Sequence, residues 1–92
     1  MEFDVLVEVR LRPGIADPQG ATIERALPAL GFTGIVEVGV GKAIRFRVTA
    51  ADASAAGALV DDLCQRFLTN PVIEDAAVTI TASAPASVGP AR

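Results

Sequence analysis

The chain opens on an alternation of apolar and polar positions, broken only at Leu6. Across residues 3–11, Phe3, Val5, Val7, Val9 and Leu11 fall on one side and Asp4, Leu6, Glu8 and Arg10 on the other, the period of two that marks a strand with one buried face. The pattern changes after a punctuated stretch, "LRPGIADPQG". Ile23, Ala26, Leu27 and Leu30 then recur at i, i+3, i+4 and i+7, one face of an amphipathic helix. Gly31 follows at a place where helix ends favour the left-handed conformation. Pro28 removes a backbone donor and presses on the carbonyl of Glu24, so a kink or a short last turn is expected there.

Two further alternating runs come next. Residues 35–40 place Val36, Val38 and Val40 on one face, and residues 43–50 place Ile44, Phe46 and Val48 on one face. Gly41 and Lys42 between them read as a hairpin turn. Residues 54–68 carry Ala56, Leu59, Val60, Leu63, Cys64 and Phe67 along one helical face, with Asp61, Asp62, Gln65 and Arg66 turned away. Asp52 or Ser54 suits the start of this second helix, and Asn70 with Pro71 ends it. Val78 and Ile80 inward, Thr79 and Thr81 outward, make a last strand.

The order strand, helix, strand, strand, helix, strand predicts an α+β, ferredoxin-like βαββαβ fold: a four-stranded antiparallel sheet with two helices on one face. Residues 1–82 form one domain, and residues 83–92 read as a flexible C-terminal tail. The face away from the helices mixes Leu6, Glu8, Arg10, Ile35, Glu37, Arg45, Arg47, Thr79 and Thr81, which suits either a solvated sheet face or a partner surface.

Ninety-two residues with 51% hydrophobic content and four aromatics, all Phe, allow only a thin aliphatic core, and association would help such a chain. A net charge of −3 is opposite to the footprint that a phosphate backbone or an anionic membrane requires, so neither nucleic acid nor membrane is an expected partner. Glu2 and Asp4 occupy the positions a basic leader would need, and the single cysteine, Cys64, cannot make an intramolecular disulfide. A cytoplasmic setting is expected.

Catalytic chemistry finds little to work with. The chain has no His, Tyr or Trp, which removes the commonest general base and metal ligand. Cys64 lies on the apolar helical stripe without an imidazole to activate it, and reads as a buried thiol. The neighbouring carboxylates Asp61 and Asp62, and Glu74 and Asp75, point apart on a helix and a strand respectively. "GVGKA" at residues 39–43 is no phosphate loop: Val36 stands where the first glycine belongs, Ala43 where Ser or Thr belongs, and the context is strand to strand. RNA recognition through an exposed aromatic sheet fails because Phe46 points inward between Arg45 and Arg47. The expectation is therefore no catalytic, cofactor-binding or metal-ligating residue on this chain. In the opening stretch, Pro13 and Gly14 stop the strand, Asp17 caps the helix, and Pro18 takes the first helical position, where a missing N–H costs nothing. A bare helix N-terminus also attracts anions, which leaves ligand cradling open.

The same residues carry a family likeness. "VEVRLRPGIADPQGATIERALPALGF" at residues 7–32, "VGVGKAIRF" at residues 38–46 and "NPVIEDAAV" at residues 70–78 resemble the PurS family, the small subunits of bacterial phosphoribosylformylglycinamidine synthase. The most specific part is the series strand, Arg-Pro-Gly, gap of three, Pro-Gln-Gly, helix and Leu-Gly-Phe. Pro28 inside the helix and the tail after Ala82 depart from it. The resemblance implies a non-catalytic bridge, dimeric or higher, between a synthetase subunit, PurL, and a glutaminase subunit, PurQ. Together these convert formylglycinamide ribonucleotide, glutamine and ATP to formylglycinamidine ribonucleotide in purine biosynthesis. It also implies that ATP and magnesium belong to PurL and that no cofactor belongs to this chain. The positions that carry over as candidate interface residues are Arg12, Pro13, Gly14, Asp17, Pro18, Gln19, Gly20, Gly41 and Lys42. The alternative is a small ACT-type regulatory domain, which uses the same element order to bind an amino acid between subunits.

Overall fold

The computed structural model describes residues 1–83; the predicted tail lies, past Ser83, outside the described residues. The first strand, β1 (Glu2–Leu11), buries Phe3, Val5, Val7 and Val9 as its alternation requires. It is the centre of a three-stranded antiparallel sheet in the order β2-β1-β3, with β2 spanning Gly41–Thr49 and β3 Glu74–Ala82. The registers Val7↔Ile44 and Val7↔Val78 align the inward-facing rows of all three strands. Helix α2 (Ala53–Leu63) lies over β1 and β3 and seals this face with Ala56, Val60 and, one turn on, Cys64. Asp52 supplies its N-cap, its Oδ1 accepting from the Ala55 amide at 2.8 Å. On the other face Arg47 pairs with Asp4 at 3.0 Å and with Glu2 at 3.7 Å.

Three expectations are corrected. First, residues 35–40 form no strand: the sheet has three strands, Gly41 and Lys42 begin β2 instead of making a hairpin, and the segment runs unpaired. The reason is local. Glu37 sits in the left-handed region at φ 58°, which breaks an extended run, and the amides of Val38 and Val40 donate to carboxylates of the preceding helix instead of to a strand.

Second, that helix, α1 (Pro18–Ala26), does not lie on the sheet. With the return segment it forms an arm beyond the end of the sheet, and its apolar stripe is open, Ile23 being 45% and Leu30 69% exposed. Only one helix therefore covers the inward face, and Ile44, Phe46 and Val48 on β2 are half-buried. The kink is where it was expected: α1 ends before Pro28, a single 3₁₀ turn (Pro28–Leu30) follows, and Gly31 closes it at φ 93°.

Third, the second helix is not regular to Leu68. It widens at Cys64–Leu68 into a π-helical turn, in which the Cys64 carbonyl accepts from both the amide (3.1 Å) and the hydroxyl (2.9 Å) of Thr69. The wider turn shifts the phase of the stripe. Leu68 packs on the core in place of Phe67, which is 80% exposed, and Leu59 lies near the edge of the buried stripe, half exposed.

Candidate functional site

The nine candidate residues separate into two groups around the C-terminal end of β1. Arg12, Pro13 and Gly14 form a tight turn closed by the Ile15 amide donating to the Arg12 carbonyl at 3.1 Å. Pro13 presets φ at the second position, and Gly14 takes φ 87° at the third, as a type II turn demands. The Arg12 side chain reaches sideways across the sheet end. Its Nη2 donates to the Pro71 carbonyl at 2.7 Å, its Nη1 lies 3.6 Å from Asp75 Oδ1, and its amide donates to the Ile73 carbonyl at 2.8 Å. Arg12, a candidate interface position in the sequence, thus ties the loop before β3 to the end of β1.

Asp17, Pro18, Gln19 and Gly20 begin the arm. Asp17 caps α1 as expected, its Oδ1 accepting from the Gly20 amide at 2.9 Å. Its other oxygen, Oδ2, accepts from the Val40 amide at 2.9 Å, so one carboxylate joins the helix to the return segment 23 residues later, just before β2. Bonds first from the Gly20 amide and then from the Val40 amide stabilise the ionised carboxylate and hold its pKa below the ordinary value of 3.8, against the opposing effect of desolvation. Two turns further along α1, Glu24 Oε1 accepts from the Val38 amide at 2.9 Å. Gly20 is the buried point of contact between helix and return segment: a Cβ there would run into the Val38 carbonyl oxygen. Gly41 has the same role inside the sheet, its Cα facing the Val9 carbonyl too closely for a side chain.

Pro18 and Gln19 on one wall and Gly41 and Lys42 on the other line an open cleft of about 290 Å³, whose rim carries Arg10, Asp17 and Glu74. The structure therefore brings Asp17, Pro18, Gln19, Gly41 and Lys42 together and leaves Arg12, Pro13 and Gly14 on the side of the loop before β3. Arg10 and Lys42 facing Asp17 and Glu74 make a mixed-charge rim, suited to polar contacts with a protein surface. It lacks a nucleophile paired with a base. Among the described residues, no three His, Cys, Asp or Glu side chains gather to hold a metal ion, and no helix is long and apolar enough to cross a membrane. Cys64 is buried; desolvation first, then the charge of Asp61, pushes its thiol pKa up, away from the nucleophilic thiolate.

What the sequence reading missed lies on the arm. Five of the ten large hydrophobics that stand exposed among the described residues, Ile23, Leu30, Phe32, Ile35 and Val36, fall between residues 23 and 36. Such clustering is the ordinary mark of an interaction surface.

Comparison with known proteins places this architecture. The PurS subunit of phosphoribosylformylglycinamidine synthase from Methanothermobacter thermautotrophicus is 41% identical over 80 residues, covering 87% of this chain and 94% of that protein. The crystal structure of Methanocaldococcus jannaschii PurS, one of the subunits of formylglycinamide ribonucleotide amidotransferase in the purine biosynthetic pathway, superposes with a TM-score of 0.80 at 30% identity, covering 89% of this chain and 99% of that one. A chain of the PurLQS structure from Thermotoga maritima gives a TM-score of 0.81 at 31% identity, covering 87% and 98%. The family model for PurS, phosphoribosylformylglycinamidine (FGAM) synthase, matches residues 4–82, and the chain belongs to the PurS family of FGAM synthase subunits.

Proposed function

We propose that this FGAM synthase subunit is a non-catalytic bridge that holds a synthetase, PurL, and a glutaminase, PurQ, in register for glutamine-dependent amidation of formylglycinamide ribonucleotide, and that it does so in the cytoplasm as a homo-oligomer. The observation that carries this reading is the likeness along nearly the whole folded chain to a PurS chain from a PurLQS structure. The site geometry is in keeping with it. Arg12 and Asp17 spend their polar atoms on the chain's own backbone, so the family's characteristic residues shape a surface and do no bond chemistry. ATP and magnesium then belong to the synthetase. Within the candidate set, Pro18, Gln19 and Lys42 are exposed and uncommitted to the fold, and these are the positions proposed to touch a partner subunit. In the assembled state the sheet gains a fourth strand and α1 its place on the inward face, completing the ferredoxin-like form.

Reconstitution tests the bridge. Adding the chain to separately purified PurL and PurQ is expected to raise glutamine-dependent turnover while leaving turnover with free ammonia unchanged, because ammonia bypasses the need for two docked active sites. Lys42→Glu or Gln19→Ala is expected to weaken the glutamine-dependent rate at limiting subunit concentration. Glutamine-dependent turnover that is the same with and without the chain, or hydrolysis of glutamine or ATP by the chain alone, refutes the assignment.

A further inference from the structure

The return segment, residues 35–40, has one edge that is already occupied. Its Val38 amide donates to Glu24 Oε1 and its Val40 amide to Asp17 Oδ2, each at 2.9 Å. The Gly39 amide between them donates to no acceptor among the described residues. Donors two residues apart on one side, with the intervening residue turned the other way, are the pattern by which a strand offers its edge to a neighbour. Here the neighbour is a helix. The carbonyl on that edge is closed as well: the Val38 oxygen packs against Gly20 so closely that a Cβ there would run into it.

The spacing of α1 makes this possible. Asp17 and Glu24 stand on the same side of the helix, two turns or about 10.5 Å apart along its axis, whereas the two amides repeat over about 7 Å of extended chain. Glutamate, the longer side chain, stands at the far end, where its extra methylene reaches back. A carboxylate suits the task because it accepts hydrogen bonds and offers no donor with which a further strand could pair.

We infer that Asp17 and Glu24 form an edge guard: two side chains take the place of a neighbouring strand along residues 38–40 and end strand addition on that side of the chain. The rest of the fold shows why one is needed. Among the described residues, the outer edges of β2 and β3 pair with no strand, and Val36, Val38 and Val40 make the return segment a ready strand former. With both of its edges open, the segment would join a neighbour on each side, a head-to-tail contact that does not close and grows into filaments. With one edge held, it pairs once and the assembly stays finite. The guard sets where association stops, whichever subunit meets the free edge, and so stands apart from the bridging role.

Light scattering of the full chain across a concentration series tests the guard. The unmodified chain is expected to reach a limiting mass. Asp17→Ala/Glu24→Ala is expected to climb in weight-average mass at least twofold over a tenfold rise in concentration, without a plateau. This variant also moves the net charge from −3 to −1. Asp61→Asn/Asp62→Asn makes the same change at exposed positions of α2, and is expected to keep the mass of the unmodified chain. The decisive variant adds Val40→Pro to the double alanine. Proline removes the amide itself and blocks the ladder, so the finite mass is expected to return, whereas damage to the packing of α1 would only deepen with a third substitution. Glu24→Ala alone leaves the Asp17 cap in place and, with α1 intact by circular dichroism, is expected to show the same growth more weakly. A finite mass in both the double and the single variant overturns the inference. So does growth that Val40→Pro fails to reverse, equal growth in the α2 charge control, or an unmodified chain whose own mass rises without limit.

Discussion

Gly20→Ala is the sharpest probe of how the arm is built, because its sign depends on a single contact. In an unhindered helix interior, alanine is favoured over glycine by about 0.5–1 kcal/mol. Gly57, in the middle of α2, is such a site: a Cβ there meets nothing within 4 Å, and Gly57→Ala is expected to stabilise by that amount. At Gly20 the new methyl group meets the Val38 carbonyl oxygen, and it also lies 2.9 Å from Asp17 Oδ2 and 3.1 Å from Asp17 Cγ. These are not flexible side-chain tips that swing aside. The carbonyl is backbone, and the carboxylate is the group that holds the Gly20 and Val40 amides. Relieving the clash moves the return segment away from α1 and stretches both of its side-chain bonds. Overpacking of this kind costs about 1–3 kcal/mol, which exceeds the helical gain and leaves a net loss of about 1–2 kcal/mol. The two variants therefore separate by roughly 2 kcal/mol, more than tenfold in the unfolding equilibrium. Urea titration followed by circular dichroism measures the global part. Hydrogen exchange at the Val38 and Val40 amides measures the local part, and protection there is expected to fall about tenfold in Gly20→Ala. If Gly20→Ala gains stability as Gly57→Ala does, with exchange at Val38 and Val40 unchanged, the return segment does not pack on α1 and the account of the arm is wrong.

Arg12→Ala removes a 2.7 Å bond to the Pro71 carbonyl and a 3.6 Å ion pair to Asp75, both at an exposed site, and is expected to cost about 0.5–1.5 kcal/mol in urea unfolding; an unchanged midpoint with weaker binding to PurL or PurQ would move Arg12 from the fold to the interface. Asp17 has a folded-state pKa below its unfolded value, so the native state binds fewer protons: its contribution is full above about pH 4 and is lost as pH falls through the depressed value. Carbon-detected titration of its carboxyl is expected to give a midpoint under 3.8, and Asp17→Asn to flatten part of the acid loss; a midpoint at or above 3.8 contradicts the two amide contacts. Phe67→Ser is expected to change stability by less than about 0.5 kcal/mol, as exposed positions do, whereas a core phenylalanine would cost about 3–5 kcal/mol on truncation.

Where the sequence was a good guide, the decisive information was local. The alternation of β1 and of residues 43–50, the cap at Asp52, the break before Pro28 and the left-handed Gly31 each depend on neighbours within a turn, and each stands in the structure. The failures share another cause. The stripe Ile23, Leu27 and Leu30 looks the same whether it faces the chain's own sheet or a different surface, because periodicity reports that a face is to be covered and not by what. Residues 35–40 carry the alternation of a strand, but a strand needs an edge, and this chain folded alone gives that edge no partner. Phe67 was misplaced because one wide turn at Cys64–Leu68 shifts the helical phase, and no single residue type announces such a turn. At the candidate site the cap role of Asp17 was legible from its place before Pro18. Its second bond to Val40, and the hold of Arg12 on Pro71, join parts distant in sequence and leave no local trace.

The central position of β1 has a consequence for how this domain comes into being. Both ladders of the sheet depend on the strand that appears first in the sequence, and neither is a hairpin: Arg10 must find Gly41, and Leu11 must find Glu74. Every strand pairing therefore closes a long loop before any contact rewards it, and topologies of that kind fold slowly for their size. While the ribosome is still making the arm and α2, the valine row of β1 has no complete cover, and an apolar strand with two open edges is a template for unwanted pairing. Asp4, Glu8 and Arg10 on its alternate positions act as gatekeepers during that interval, keeping the nascent strand in solution until its neighbours arrive.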